Sequence, residues 1–219
     1  MRIEQPSGTR GSLKWIQRLA QHYPAALNDQ LRSHGALGDD DGLVWLSPLH
    51  GDSFAEYRDQ GFLNRLNLGH LADHLSDFWP RKGPQWDGLA TDGGRKVFLI
   101  EAKAHAKEME STCQAGAKSR ARILKSCDES KANFGADPAA NWLTNYYQYA
   151  NRLAHMEFLR RHGVDAWLVF LYFVGDDDMA GPRVEGEWQS SITLALQHLG
   201  LSSHPSHVAT VFQSVAALS

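Results

Sequence analysis

The stretch 84-PQWDGLATDGGRKVFLIEAKAH-105 decides the reading of this chain. It places one aspartate, Asp87, before a glycine-rich break, then an apolar run that ends in Glu101-Ala102-Lys103. Charges beside a core are costly unless they are paired or used. In a strand, residues two apart share a face, so Glu101 and Lys103 point the same way, about 7 Å apart along the strand. Leu99 lies on that face deeper in, and Phe98, Ile100 and Ala102 fill the other. The two strands read as a hairpin, near 86–91 and 96–104. A three- or five-residue loop around 92-DGGRK-96 sets Asp87 directly across from Glu101, on the same face. A four-residue loop turns Asp87 the wrong way unless a bulge corrects it. Gly93-Gly94 permits the turn.

Two carboxylates on one face, with an ammonium one step beyond, suit a hard divalent cation such as Mg²⁺ or Mn²⁺. Such a metal polarises a phosphodiester and lowers the pKa of a bound water. The lysine would orient that water or balance charge on phosphate oxygens. The competing reading is an ion pair at an exposed strand end, which would contribute little to stability. The length of the apolar run argues instead for charges beside the core.

On these residues the chain resembles the PD-(D/E)xK nuclease superfamily, whose fold is restriction-endonuclease-like. The family's proline normally stands directly before its aspartate, whereas here that position is Trp86 and the proline is Pro84. The resemblance implies a catalytic core of Asp87, Glu101 and Lys103. It implies an added acid from a helix before the sheet, for which Glu56 in 53-SFAEYRDQGF-62 is the candidate, giving a metal set of Asp87, Glu101 and Glu56. It also implies a glutamine on the helix after the lysine strand, and Gln148 in 145-NYYQYANRLA-154 fits, with Arg152 one turn on. A solvated helix face for Glu56 and a boundary polar residue for Gln148 are the structural alternatives. The likeness spans residues 43–175 in order of elements, but its diagnostic motif is about twenty residues long.

Outward from this motif, the 219 residues are 42% hydrophobic and 21% charged, which suits one globular domain. We expect a flexible tail over residues 1–11 and a single domain over 12–219. A formal net charge of −3 excludes a generally basic nucleic-acid binder, so polyanion contact must come from local patches or a metal. Cys113 and Cys127 are too few for a disulfide framework and read as free thiols. The polar N-terminus shows no signal core, and the longest apolar run, 166-AWLVFLYFVG-175, is about half a membrane span. A soluble cytoplasmic protein with no membrane partner is expected.

Periodicity predicts a helix from Ser12, split by Pro24, with a second piece to about Ser33. A strand follows at 43–49, then helices at 52–65 and 70–78. Beyond the hairpin, helices are expected at 111–134 and from Asp137-Pro138 to Gly163. A doubly buried strand at 166–175, a helix at 186–199 and a strand near 207–213 close the chain. The order predicts an α/β fold with a central mixed sheet flanked by helices.

Weaker signals remain. The segment 118-KSRARILKSCDESK-131 carries five basic side chains against two acidic ones and either contacts phosphates or forms a solvated face. His70 and His74 have zinc-ligand spacing but no H-E-x-x-H and no third ligand, so they read as structural, as do His204 and His207. A metal role for Asp176 has no support. The leading expectation is a Mg²⁺- or Mn²⁺-dependent nuclease that hydrolyses phosphodiester bonds in DNA. The alternative is a silent member of the same fold that serves as a nucleic-acid or protein interaction module. With no separate recognition domain, specificity would come from loops, a homodimer or another partner.

Overall fold

The structure is a computed structural model and describes residues 1–218. A short strand, β1 (Arg2–Ile3), leads into α1 (Gly11–His22) and α2 (Asn28–Ser33). Then come β2 (Val44–Ser47), β3 (Glu56–Tyr57), α3 (Gln60–Arg65) and α4 (Ala72–Phe78). The hairpin is β4 (Gly88–Thr91) and β5 (Val97–Lys103), followed by α5 (Ala117–Phe134) and α6 (Tyr147–Arg161). The chain closes with β6 (Ala166–Val174), α7 (Glu185–His198) and β7 (Val208–Ser214).

Five strands form a mixed sheet in the order β2-β4-β5-β6-β7. β2, β4 and β5 are antiparallel neighbours, and β6 and β7 continue parallel to β5. β5 and β6 are buried on both faces, which is why their sequences are near-continuous apolar runs. One face carries Leu89, Leu99, Leu168 and Phe170 against residues of α5, α6 and α7. The other carries Phe98, Ile100, Val169 and Leu171 against Trp15, Ile16, Leu19 and Leu31 of α1 and α2. The expected α/β class, the mixed sheet and the split of β5 between two faces are all present.

Four local expectations are corrected. Residues 52–65 are not one helix. Ser53, Phe54 and Asp59 have φ of 52°, 49° and 51°, which a right-handed helix excludes. Asp59 is held there by accepting the backbone N–H groups of Lys82 and Gly83 at 3.2 and 2.9 Å, contacts invisible to local pattern. The N-terminal segment is not wholly a loose tail, because Arg2 and Ile3 pair antiparallel with Tyr57 and Glu56. The long helix begins at Tyr147 rather than near Asp137. Asp137 does accept the Ala139 N–H at 2.8 Å, but Asn141 then turns the chain by accepting the Leu143 N–H at 3.0 Å. Leu143 and Tyr147 bond across to Cys113 and Ser111, and the Ser111 hydroxyl accepts the Gln148 N–H at 2.8 Å. The same pairing keeps 110–116 out of α5.

Gly88 explains the close fit of the hairpin on α1. A Cβ there would meet Trp45 Cζ3 at 2.9 Å, Ile100 Cβ at 3.2 Å and Ile16 Cδ1 at 3.3 Å. Overpacking of this kind costs about 1–3 kcal/mol, so Gly88→Val should lower the urea unfolding free energy by that amount.

Candidate functional site

The register of the hairpin is what the spacing predicts. Gly88 pairs with Ile100 and Thr91 with Val97, leaving a five-residue loop of Asp92 to Lys96. Continuing that register one step sets Asp87 opposite Glu101. Asp87 is just outside the ladder, and its Oδ2 accepts the Ala102 N–H at 2.8 Å. That bond fixes the carboxylate at the C-terminal end of β5. Its Oδ1 has no hydrogen-bond partner among the described residues.

Glu101 is 3% exposed and is held by two cations. Lys103 Nζ lies 2.5 Å from Oε1, and Arg152 Nε lies 2.6 Å from Oε2. Arg152 projects from the second turn of α6 and is itself buried. It also donates to Gln85 O at 2.8 Å and Asn151 Oδ1 at 2.7 Å, and its guanidinium lies 5.0 Å from the Trp86 ring centroid. Gln148 stands one turn earlier, with Oε1 3.5 Å from Lys103 Nζ. The second helix after the lysine strand, α6, therefore brings both Gln148 and Arg152 to the site. Arg152 is the more deeply engaged. Its signal was a basic residue inside an apolar stretch, four positions after Gln148. A cavity of about 10 Å³ beside Glu101, Lys103, Gln148, Tyr149 and Tyr172 holds at most about one water. A larger substrate would have to approach from outside.

Glu56 reaches the site from β3, not from a helix. Tyr57 bridges Trp86, one residue before Asp87, and Trp86 N–H donates to Tyr57 O at 3.0 Å. Glu56 Oε2 accepts from Gln85 Nε2 at 2.5 Å and Gln5 Nε2 at 3.2 Å, so the solvated alternative is excluded. Neither glutamine was assigned a role from sequence: Gln5 lies in the expected tail, and Gln85 stands within the motif, between Pro84 and Trp86. Among the described residues, no three His, Cys, Asp or Glu side chains form a group arranged to hold a metal ion. The three carboxylates Asp87, Glu101 and Glu56 share one region without closing into a cage.

The three acids differ in charge state for physical reasons. Burial, and then the Glu101 carboxylate, push Asp87 up to about 8, against the opposing pull of Lys103. Burial also raises Glu101, but Arg152 and Lys103 outweigh it and its carboxyl sits below the usual range. Burial raises Glu56, with the Gln85 hydrogen bond opposing and Glu101 adding. Lys103 is lowered by burial, yet Glu101 and Asp87 more than compensate, so it stays an ammonium.

The weaker candidates separate cleanly. Asp176 Oδ2 accepts the Trp15 indole N–H at 2.8 Å, a structural bond. His70 and His74 are exposed, and His74 packs on His162 with ring centroids 4.8 Å apart. His204 is bonded to the Tyr149 hydroxyl, and His207 packs edge-on against Trp167. Cys113 and Cys127 are buried free thiols, and burial raises Cys127 to about 12. In the basic segment, Lys131 is turned inward to Asp128, Pro138 O and Ala140 O, while Lys118, Arg122 and Lys125 remain exposed. Comparison of the chain with protein-family models, curated proteins and solved structures gave no match.

Two expected outcomes test this geometry. Removing one partner of a buried ion pair strands the other charge, so Arg152→Ala should cost about 3–5 kcal/mol in denaturant titrations. The exposed Lys125–Glu129 pair is worth about 0–1 kcal/mol by the same measurement. For Asp87, the folded pKa lies above the unfolded one, so the folded state keeps a proton that the unfolded chain has lost. Stability from this group is therefore present below the unfolded pKa and declines until pH reaches about 8. In metal-free buffer, Asp87→Asn should gain stability relative to wild type as pH rises toward about 8 and then plateau.

Proposed function

We propose that this protein is a metal-dependent nuclease of the PD-(D/E)xK superfamily, with a restriction-endonuclease-like fold, that hydrolyses phosphodiester bonds in DNA. The observation that carries this reading is the hairpin register. It sets Asp87 opposite Glu101 and leaves Lys103 on the same face, at the end of the central strand. The order of elements around it supports this reading, with antiparallel β2 and β4 before β5, then α5 and the Gln148-bearing α6, and then the parallel strand β6.

Asp87 and Glu101 are the residues that would hold Mg²⁺ or Mn²⁺. The donor set fits a hard cation in part. Asp87 offers an unpartnered carboxylate oxygen whose charge is disfavoured by burial and by Glu101, which is the environment a cation relieves. When bound, the metal supplies Lewis acidity toward the phosphodiester and lowers the pKa of a bound water. Lys103 would orient that water and balance charge on the phosphate oxygens, and Gln148 steadies the ammonium. Arg152 keeps Glu101 ionised and aimed. Glu56, held by two glutamines, adds negative charge next to Asp87 and orients Gln85. The exposed Lys118, Arg122 and Lys125 offer phosphate contacts outside the reacting centre.

One observation favours the second reading, a silent module of the same fold. Both oxygens of Glu101 are already engaged in ion pairs, and either pair must loosen before that carboxylate can hold a metal. Incubation with plasmid, single-stranded DNA and RNA in Mg²⁺ or Mn²⁺ separates the two. Cutting that falls about a hundredfold or more in Asp87→Ala and in Lys103→Ala is the expected result. Cutting unchanged in both variants removes this site assignment, and binding of nucleic acid with no cutting selects the silent module.

A further inference from the structure

A cavity of about 650 Å³ lies apart from Glu101 and Lys103, among α4, the 79–83 loop, Arg122 of α5 and His155 of α6. Its volume is in the range of small-molecule sites, roughly 300–1,000 Å³. Leu75, Trp79 and Pro80 give it an apolar wall, and its charged lining is Arg81 and Arg122 with Asp73 and Asp59, the last already accepting the Lys82 and Gly83 N–H groups. Arg122 spends one nitrogen on Ser76 O at 2.8 Å, and Arg81 makes no ion pair or hydrogen bond among the described residues.

His155 supplies the specific feature. It is 1% exposed, and its ring packs edge-on to Trp79 with centroids 4.7 Å apart. Its Nδ1 lies 2.8 Å from Asn151 O, and since a carbonyl only accepts, Nδ1 carries the proton. Nε2 is then a lone-pair acceptor, and no described residue donates to it. It faces Gly83, where a Cβ would sit 3.4 Å from Nε2, Trp79 Cδ1 and Asp59 Oδ1 alike. Burial lowers His155 to about 3, so the ring stays neutral and accepting at ordinary pH. Nε2 opens onto the cavity rather than into the packed core, so a ligand N–H can reach it directly.

We propose that this cavity binds a nucleotide, with an N–H or amino hydrogen of the base donating to His155 Nε2, the base against Trp79 and the phosphate at Arg81 and Arg122. A planar heterocycle with a polar hydrogen on its edge and an anionic tail matches an aromatic wall, a neutral buried acceptor and two unpaired cations. The proposal shares only Arg122 with the nuclease reading and uses neither Asp87, Glu101 nor Lys103, so His155 and Gly83 variants test it separately, by binding. The nucleotide is either free or one residue of a single strand, and the chemistry of recognition is the same.

Isothermal titration calorimetry on the full chain, without divalent cations, tests it with the four ribonucleoside 5′-monophosphates and a short single-stranded oligonucleotide. Gly83→Leu would fill the cavity without left-handed backbone, and His155→Phe keeps a packed ring while removing the acceptor. Saturable binding of at least one probe, weakened about tenfold or more in both variants, is expected, with circular dichroism confirming that each is folded. Binding of a monophosphate assigns a free nucleotide, and binding of the oligonucleotide alone assigns a base from a strand. No saturable binding of any probe at millimolar concentration overturns the proposal, as does binding unchanged by Gly83→Leu.

Discussion

Glu101 carries a carboxylate almost out of reach of water, and the fold around the site is arranged to keep it ionised. A buried charge left alone would take up a proton or destabilise the fold by several kcal/mol. Lys103 answers half of this from the same strand, two residues on. The other half must come from a different element, and Arg152 brings it from α6. That requirement fixes the rotation of α6 on the sheet. The remaining guanidinium nitrogens then hold Gln85 O and Asn151, and Gln85 in turn holds Glu56. A chain of polar contacts thus runs from β5 through α6 to the segment before β4 and on to β3. Each link positions the next.

The same arrangement makes the two facing carboxylates unlike each other. Glu101 has two cations and sits below the usual carboxylate range, whereas Asp87 has one backbone N–H and is pushed up to about 8. Lys103 pulls on both, but its ammonium lies 2.5 Å from Glu101, and at Asp87 burial and the Glu101 charge outweigh it. Positive charge is therefore in surplus at Glu101 and in deficit at Asp87. A divalent cation placed between them would correct the deficit. Pairs of titratable groups pushed apart in this way are more common where protons or ions are handled than in structural ion pairs, although structural networks also produce them.

How much of this was legible follows the range of the interactions. The hairpin was readable because a strand has a period of two and the loop length fixes parity, so Asp87 and Glu101 could be set face to face from spacing alone. Gln148 was reachable only through the family resemblance, which implies a glutamine on a helix after the lysine strand; periodicity alone left it a boundary polar residue. Glu56 was found as a residue but placed on the wrong element. Its strand exists only because Arg2–Ile3 and Trp86 pair with it, partners 29 residues or more away in sequence. The start of α6 was misplaced because Asp137-Pro138 is a sound local cap signal, overridden by pairing of 143–147 with 111–113. Arg152 was noticed without its role, since burial of a cation cannot be read from periodicity.

Helix α6 is the place where these threads meet. From Tyr149 to Leu159 it is buried along its whole length, yet it carries Asn151, Arg152, His155 and Glu157. A helix buried on all sides needs no polar side chains for stability, and each one must be matched or it costs free energy. Arg152 is matched by Glu101, Glu157 by Asn133, and Asn151 by Arg152. His155 is matched on one nitrogen only, with the other facing Gly83 at the edge of the large cavity. Asn151 links the two ends, because its side chain accepts from Arg152 while its backbone carbonyl accepts from His155. A shift of α6 that loosened Arg152 from Glu101 would therefore move the His155 acceptor as well. The carboxylate site and the cavity thus share one helix, with Arg152 and His155 three residues apart on it.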